Sequence, residues 1–503
     1  LPEKKTTVSI GAFSATFAGY GVNVYQQNDL GKPILQTAFD VAESPRKLLR
    51  YGFLSDFTEK DRDNGALEWL LKCHINLIQF YDRHDSLVAP QEDYHDMMGK
   101  EISGSTVKAK IAKAKALGMH PTAYGAVYAA SKPFFEKHPT WAFYNSCQEP
   151  FVFIDVFYIM NIAEGSPWRK HLFEEYQSAI SMMGFSGIHM DTYGFPKTAY
   201  SHLDAIPKKI KLEDELPTLI DETRENVHGE EEPYLIFNNV GAWPVQRTAD
   251  RKQDAVYIEV WPPYDRYASI AQLIRDARTY AKDDKSTILA AYLKPFREGK
   301  REKALPAAKL LMGSIVSNGA THLLTGENQT ALTQGYYSDY TKFSDSEAEA
   351  IRRYYDYMIR YENLFFDPEL QDVTMTHTGW DNYEYQCTSH KVSSYGEAGK
   401  IWMILREKDY RKCIYLLNLC GQSEDYWNEG KEEPIIQKDI KFTVQVDTPV
   451  EKICFSTPDE ENMDAIELSF TERATKTGKF IDFTVPSLNY WTTIWIDTRK
   501  ETI

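Results

Sequence analysis

The sequence predicts an α/β fold: a (β/α)8 TIM barrel, then an antiparallel β-sandwich, with a short N-terminal β segment ahead of both. Three observations carry this reading. Between residues 50 and 366, short runs rich in β-branched and aromatic residues alternate eight times with amphipathic helical stretches. After Pro368 the helical period stops, and short strand-like runs follow with turn residues between them. No glycine-rich phosphate loop follows the first run, which weakens the rival reading of a doubly wound open sheet.

Taken in order, residues 1–46 hold two or three strands with a hairpin near Asn28–Gly31. The segment is too short to bury a core of its own and is expected to lean on the barrel. The eight strands are RYGFLSDF (50–57), NLIQFYD (76–82), HPTAYGAVYA (120–129), GIHMDTYG (187–194), YLIFNNVG (234–241), AVYIEVW (255–261), TILAAYLKP (287–295) and ATHLLTGEN (320–328). Between them, Val107, Ile111 and Ala114 form one helical stripe, with Gly118 at the C-terminal cap position. Ser166 and Pro167 open a helix whose buried face is Leu172, Tyr176, Ala179 and Met183. Ile270, Leu273, Ile274 and Ala277 repeat the pattern, and Ser344 with Glu347 forms a capping box for the last helix. The expected units are therefore 1–46, 47–368 and 369–503.

Composition narrows the partners. A net charge of −16 argues against nucleic acid or an anionic membrane, since both need basic patches. No apolar run approaches the ~20 residues of a membrane span. The 32 Tyr and 10 Trp suit a neutral sugar, although aromatic residues also serve as plain core. Six cysteines without CxxC spacing read as free thiols rather than a zinc site or a disulfide framework. The chain begins at Leu1, so an upstream segment is expected to have been removed, as a signal peptide or by trimming.

In a (β/α)8 barrel the reactive groups sit at the C-terminal ends of the strands. Those ends read Asp56; Tyr81 and Asp82; Tyr128; Asp191; Asn238 and Asn239; Glu259 and Trp261; Lys294; and Glu327 with Asn328. Asp191 and Glu259 are the sharpest pair. Each ends an apolar run, GIHM or AVYI, where burying a carboxyl is costly without a purpose. Two carboxylates facing each other across a mouth are what glycoside hydrolysis needs: one attacks the anomeric carbon, the other protonates the leaving oxygen and later activates water. The alternative is a pair of structural acids bonded to loop amides.

His189 shares a strand face with Asp191, which raises the question of a metal. Further histidine ligands are missing from the first, fifth, sixth and seventh strands, and His322 stands early in the eighth. No metal is expected, and His189 reads as a hydrogen-bonded neighbour of the site. His84, after the second strand, is a candidate either for a metal ligand or for a hydrogen bond to a sugar hydroxyl. Neither a Gly-x-Ser-x-Gly elbow nor a P-loop is present, and no cofactor is expected.

The motifs RYGFLSDF, INLIQFYD, GFSGIHMDTYG, FNNVG, YIEVW, LLTGEN and GYYSDY, in this order from about residue 37 to the end, resemble glycoside hydrolase family 66. That family comprises the dextranases and the cycloisomaltooligosaccharide glucanotransferases. The resemblance implies a retaining, endo-acting enzyme on α-1,6-linked glucan, most like a dextranase, with Asp191 as nucleophile and Glu259 as acid/base. It implies sugar contacts at Asp82, Asn238 and Glu327 and stacking at Tyr128, Trp261 and Tyr336. Tyr81, His189, Lys294 and Asn328 complete the expected substrate-binding set. It also implies a secreted, cell-surface or periplasmic bacterial protein with an α-glucan as partner, expected to be a monomer.

Three departures from the family pattern stand out. Only the last strands of an immunoglobulin-like N-terminal domain are present. The chain after QFYD goes straight to RHDSL. The short loops between strands six and eight hold no carbohydrate-binding insert, which favours hydrolysis over cyclisation. The alternatives are a cyclising or transglycosylating glucanotransferase, a relative acting on another α-glucan, and a glucan-binding protein without activity.

Overall fold

The computed structural model describes residues 13, 17–26, 29–62, 65–81, 93–96, 99–282, 285–379 and 382–499. At the N-terminus, Phe17–Gln26 pairs antiparallel with Asp29–Ala42, and the expected turn between them lies partly outside the described residues. The hairpin lies against the last helix, as its length demanded. A Cβ on Gly19 would sit 1.8 Å from the carbonyl oxygen of Ile359, so only glycine permits that approach. Polar ties complete the seam: Thr37 donates to Asp356 at 2.8 Å, Asn23 to Asp464 at 2.8 Å and Gln36 to Asn462 at 2.9 Å.

All eight predicted strand regions enter one eleven-stranded sheet. Its spatial order is Thr321–His322, Ser286–Ala290, Ala255–Glu259, Tyr234–Val240, Gly187–Asp191, His120–Ala126, Leu77–Phe80, Tyr51–Leu54 and Thr325–Gly326, then Thr330–Ala331 and Thr341–Lys342. The pairings from Thr321–His322 through Thr325–Gly326 are parallel, and the last two are antiparallel. Strands buried on both faces explain the unbroken apolar runs such as AVYI.

The eighth region departs from expectation. It forms two short pieces rather than one strand: Thr321–His322 bonds to the seventh strand, and Gly326 bonds to Phe53 of the first. Beyond it, Asn328 adopts a left-handed conformation (φ 55°), and Thr330–Ala331 folds back antiparallel on Thr325–Gly326. The chain turns where a longer strand was expected.

The helices cover the sheet with the predicted stripes. Gly104–Ala116 buries Val107, Ile111 and Ala114, and Tyr267–Tyr280 buries Ile270, Leu273, Ile274 and Ala277. Pro167–Ser178 starts with the Ser166 hydroxyl accepting from the Trp168 amide, and widens into a π-turn over Ala179–Met183. Asp345–Arg360 carries the capping box, with the Ser344 amide donating to Glu347 at 2.7 Å.

After residue 370 the chain forms a seven-stranded and a four-stranded sheet, almost wholly antiparallel. The two share a cluster of Ile401, Met403, Leu405, Ile414, Phe442 and Phe483, separate from the main core. All six cysteines are unpaired, with Cys73, Cys413 and Cys454 buried. Among the described residues, no helix is long and apolar enough to cross a membrane.

Candidate active site

The parallel strands bring Asp191, Asn238 and Glu259 together from three adjacent strands, the fourth, fifth and sixth. Asn238 is the hub. Its Nδ2 donates to Asp191 Oδ1 at 2.7 Å and to Glu259 Oε2 at 3.2 Å. Carboxylate oxygens accept, so the amide must present its nitrogen to both. Since both bonds converge on one nitrogen, the two oxygens they reach are no farther apart than the two lengths combined.

Each carboxylate has a further, private donor. The Tyr124 hydroxyl donates to Asp191 Oδ2, and the Tyr292 hydroxyl donates to Glu259 Oε1. Burial raises the Tyr292 phenol well above its ordinary pKa, and the Glu259 charge adds to that, so it stays a donor. Glu259 itself is pushed up to about 7, first by burial and then by the charge of Asp191. The hydrogen bonds from Tyr292, Asn238 and Trp261 pull the other way without cancelling it.

Around the pair stands an aromatic wall. Tyr81 stacks on Tyr337 with centroids 4.4 Å apart and meets Tyr124 edge-on at 5.2 Å. Tyr337 exchanges a hydroxyl bond of 2.9 Å with Tyr257, and Tyr336 lies 6.1 Å from Tyr81. Trp261 is 40% exposed and meets Tyr292 edge-on at 5.7 Å. Gly335 closes the floor, where a Cβ would come within 3.4 Å of Glu259 Oε1 and 3.3 Å of the Trp261 ring.

Four expected sugar contacts lie elsewhere. His189 is 1% exposed, one layer below the carboxylates. Its Nδ1 bonds the Tyr51 hydroxyl at 2.9 Å, and burial depresses its pKa to about 3, which makes it a neutral core residue. Tyr128 is buried, and its hydroxyl accepts from the Tyr193 amide at 2.6 Å, so it braces the loop after the fourth strand rather than offering a platform. Glu327 is wholly buried and accepts from the Ser55 and Asp56 amides at 2.6 and 2.7 Å and from Lys110 Nζ at 2.6 Å, which leaves no room for a ligand. Asn328 faces a groove beside Gly65, Trp69 and Lys72 on the helical side.

Lys294 sits at the rim, its Nζ paired with Glu429 at 2.5 Å. Asp82 and His84 fall outside the described residues. Tyr124 and Tyr292 were missed from the sequence, although Tyr124 stands four residues before Tyr128 and Tyr292 two before Lys294, on the same strand-face parity. Among the described residues, no group of three or more His, Cys, Asp or Glu side chains converges as a metal site would require. A second cavity of about 360 Å³, lined by Arg46, Ser286 and Thr321, lies at the opposite ends of the strands.

Such an arrangement can do two-carboxylate chemistry. One acid holds a proton near neutrality, the other accepts from neutral donors, and an aromatic cleft surrounds both. Comparison with known proteins points the same way. The profile of glycosyl hydrolase family 66 matches residues 2–495. Two curated cycloisomaltooligosaccharide glucanotransferases of Niallia circulans are 22% and 20% identical over 96% and 97% of the chain. The chain spans 64% and 66% of their lengths. A crystal structure of a Paenibacillus sp. cycloisomaltooligosaccharide glucanotransferase with cycloisomaltoheptaose superposes with a TM-score of 0.82 at 18% identity, over 92% of this chain and 86% of that one. A maltogenic α-amylase of Thermotoga neapolitana superposes at 0.55 with 10% identity, over 90% of this chain and 99% of that one.

Proposed function

The chain belongs to glycosyl hydrolase family 66, and from that premise we propose that it cleaves α-1,6-linked glucan by double displacement, with dextran hydrolysis as its main activity. The observation that carries the reading is the single Asn238 amide touching both carboxylates. It favours the close spacing of about 5–5.5 Å of a retaining pair over the roughly 6.5–9.5 Å that leaves room for water in an inverting one.

In the first step Asp191 attacks the anomeric carbon while Glu259 gives its proton to the departing glucosidic oxygen. A pKa of about 7 keeps that proton available at neutral pH. Once Asp191 is esterified its charge is gone, and one cause of the raised Glu259 pKa goes with it. Glu259, having given up its proton, then stays ionised near neutrality and takes a proton from the water that resolves the intermediate. Tyr124 and Asn238 hold Asp191 in position throughout.

The same reading includes a closed (β/α)8 barrel, supported by the eighth region bonding to both the seventh and the first strand. It also includes the three units 1–46, 47–368 and 369–503, supported by the change to antiparallel sheets and a second core. A polymeric glucan is met outside the cytoplasm, hence a secreted, cell-surface or periplasmic setting.

A second reading, a glucanotransferase making cyclic or longer products, is favoured by the names of the similar proteins. Hydrolysis is preferred because one match runs over 641 residues against the 503 of this chain, so the relative carries inserted residues that this chain lacks. The test is release of reducing ends from dextran, with soluble starch and a chelator-treated sample in parallel. Chelator-insensitive cleavage of dextran alone is expected. Cyclic products would replace hydrolysis with the second reading, and activity on starch alone would move the substrate.

A further inference from the structure

The seam between the N-terminal hairpin and the barrel hides a carboxyl that the glycosidic chemistry does not use. Glu362 opens the short helix Glu362–Phe365, directly after the last long helix. It is 0% exposed, and neither of its carboxyl oxygens has a hydrogen-bond partner among the described residues. An ionised carboxylate there gives up its hydration and gains no donor, so the neutral acid is the form the seam accepts.

Two charged groups act on it. Asp40, on the hairpin strand Asp29–Ala42, pairs at 2.8 Å with Arg50, which stands just ahead of the first barrel strand. That ion pair ties the hairpin to the barrel. Burial raises Glu362 to about 8, the Asp40 charge adds to the rise and Arg50 opposes it. While Glu362 keeps its proton, one carboxylate faces one guanidinium. Once it ionises, two carboxylates compete for that guanidinium, whose Nε is already committed to the His74 carbonyl.

The charged groups farther along the seam are paired with one another. His74 meets Asp356 at 2.8 Å, Arg352 meets the same carboxylate, and Thr37 of the hairpin donates to it. Arg360 pairs with Asp464 and donates to Asn23 at 3.0 Å, and Gln36 accepts from the Met463 amide at 3.0 Å. Burial pushes Cys73, Tyr355 and Tyr361 upward, so these stay neutral. The hairpin thus bridges the last long helix and the 462–464 turn of the C-terminal unit, with Glu362 beneath it.

We propose that residues 17–42 form a pH-operated clasp: the hairpin is held on the barrel while Glu362 carries its proton, and loosens as Glu362 ionises. Loosening brings water to the carboxylate and separates it from Asp40. A solvated glutamate ionises near about 4.3, so the docked form binds the proton more tightly than the open one. Docking is therefore strongest below that range and weakens by about tenfold for each unit that the pH climbs. It levels off above about 8, where both forms are ionised. This clasp is independent of the roles given to Asp191 and Glu259.

Hydrogen exchange of the full chain across a pH series tests it, with each amide corrected for the intrinsic effect of pH and the hairpin compared with the barrel strand Gly187–Asp191. Protection of the hairpin is expected to fall by more than tenfold between about pH 6 and 8. Glu362→Gln, which cannot ionise, should leave it nearly flat over the same range. A parent without the fall overturns the proposal, as does a hairpin that opens only together with the barrel strand. So does a fall that survives in Glu362→Gln, which would pass the effect to His74, since a histidine also changes charge in this range. If Glu362→Gln does not fold, Asp40→Asn decides. Without the Asp40 charge the level stretch should begin at lower pH, and an unmoved one overturns the clasp.

Discussion

Two clusters of buried acid stand at the ends of parallel strands, and they are built on opposite terms. Glu327 is met by the Lys110 ammonium and two backbone amides, so a cation opposes the burial that raises its pKa. Glu259 is met among the described residues by neutral donors, an asparagine amide, a phenol and the Trp261 side chain, and the same amide and a second phenol donate to Asp191. A cation fixes a carboxylate in its ionised form and makes it scaffold. Neutral donors orient a carboxyl without settling its proton, which leaves Glu259 free to give and take one. In the sequence Glu327 reads as one more acid at a strand end, set apart from Asp191 and Glu259 because Thr325 and Gly326 rather than an apolar run precede it.

The contrast can be broken first at Asp191, the proposed nucleophile. Asp191→Asn keeps the Asn238 contact and removes the attacking oxygen, so kcat on dextran is expected to fall by about 10⁴-fold with little change in the urea midpoint. Retained turnover would move Asp191 to the structural class.

The opposite result is expected at the other cluster. Lys110→Ala leaves Glu327 buried beside two amides with no cation, at a cost of about 3–5 kcal/mol in unfolding free energy. Chemical denaturation measures this, and a change within 1 kcal/mol, roughly the value of an exposed pair, would show that the ion pair is not structural.

The next effect is on pH. The proposed mechanism uses the protonated form of Glu259, so kcat/KM on dextran should decline as pH climbs through about 7. Folding follows the same sign. A carboxyl whose pKa is raised binds its proton more tightly in the folded chain, so its contribution to stability is full below the ordinary carboxylate range. That contribution is lost as pH rises toward about 7.

The smallest expected change comes from Tyr292→Phe. The hydroxyl's bond lowers the Glu259 pKa, so its removal should carry the alkaline limb to higher pH, with a modest cost in rate. A limb that stays in place would mean that Glu259 is not the titrating group.

Strand order, helix stripes and the meeting of Asp191 with Glu259 were legible because they depend on local patterns: apolar runs, period and an acid where a run stops. Depth within the sheet was not. Tyr124 and Tyr292 were passed over for Tyr128 and Lys294, which share their parity but lie farther along the chain. Parity along a strand is set by the chain itself, whereas the residue that stands level with Asp191 is set by pairing. Asp191 stands opposite Ala126, and Glu259 opposite Ala290. Glu327 was misread for a related reason, since Lys110 is 217 positions away and nothing near Glu327 announces it.

The split eighth region has a consequence in time. The first strand meets its second neighbour only when Gly326 reaches Phe53 and Glu327 reaches the Ser55 amide, 272 positions later in the chain. At a synthesis rate of roughly 5–20 residues per second, an apolar edge is left waiting for tens of seconds on a growing chain. Until then the nascent protein presents an unpaired strand edge, a ready template for pairing with another chain.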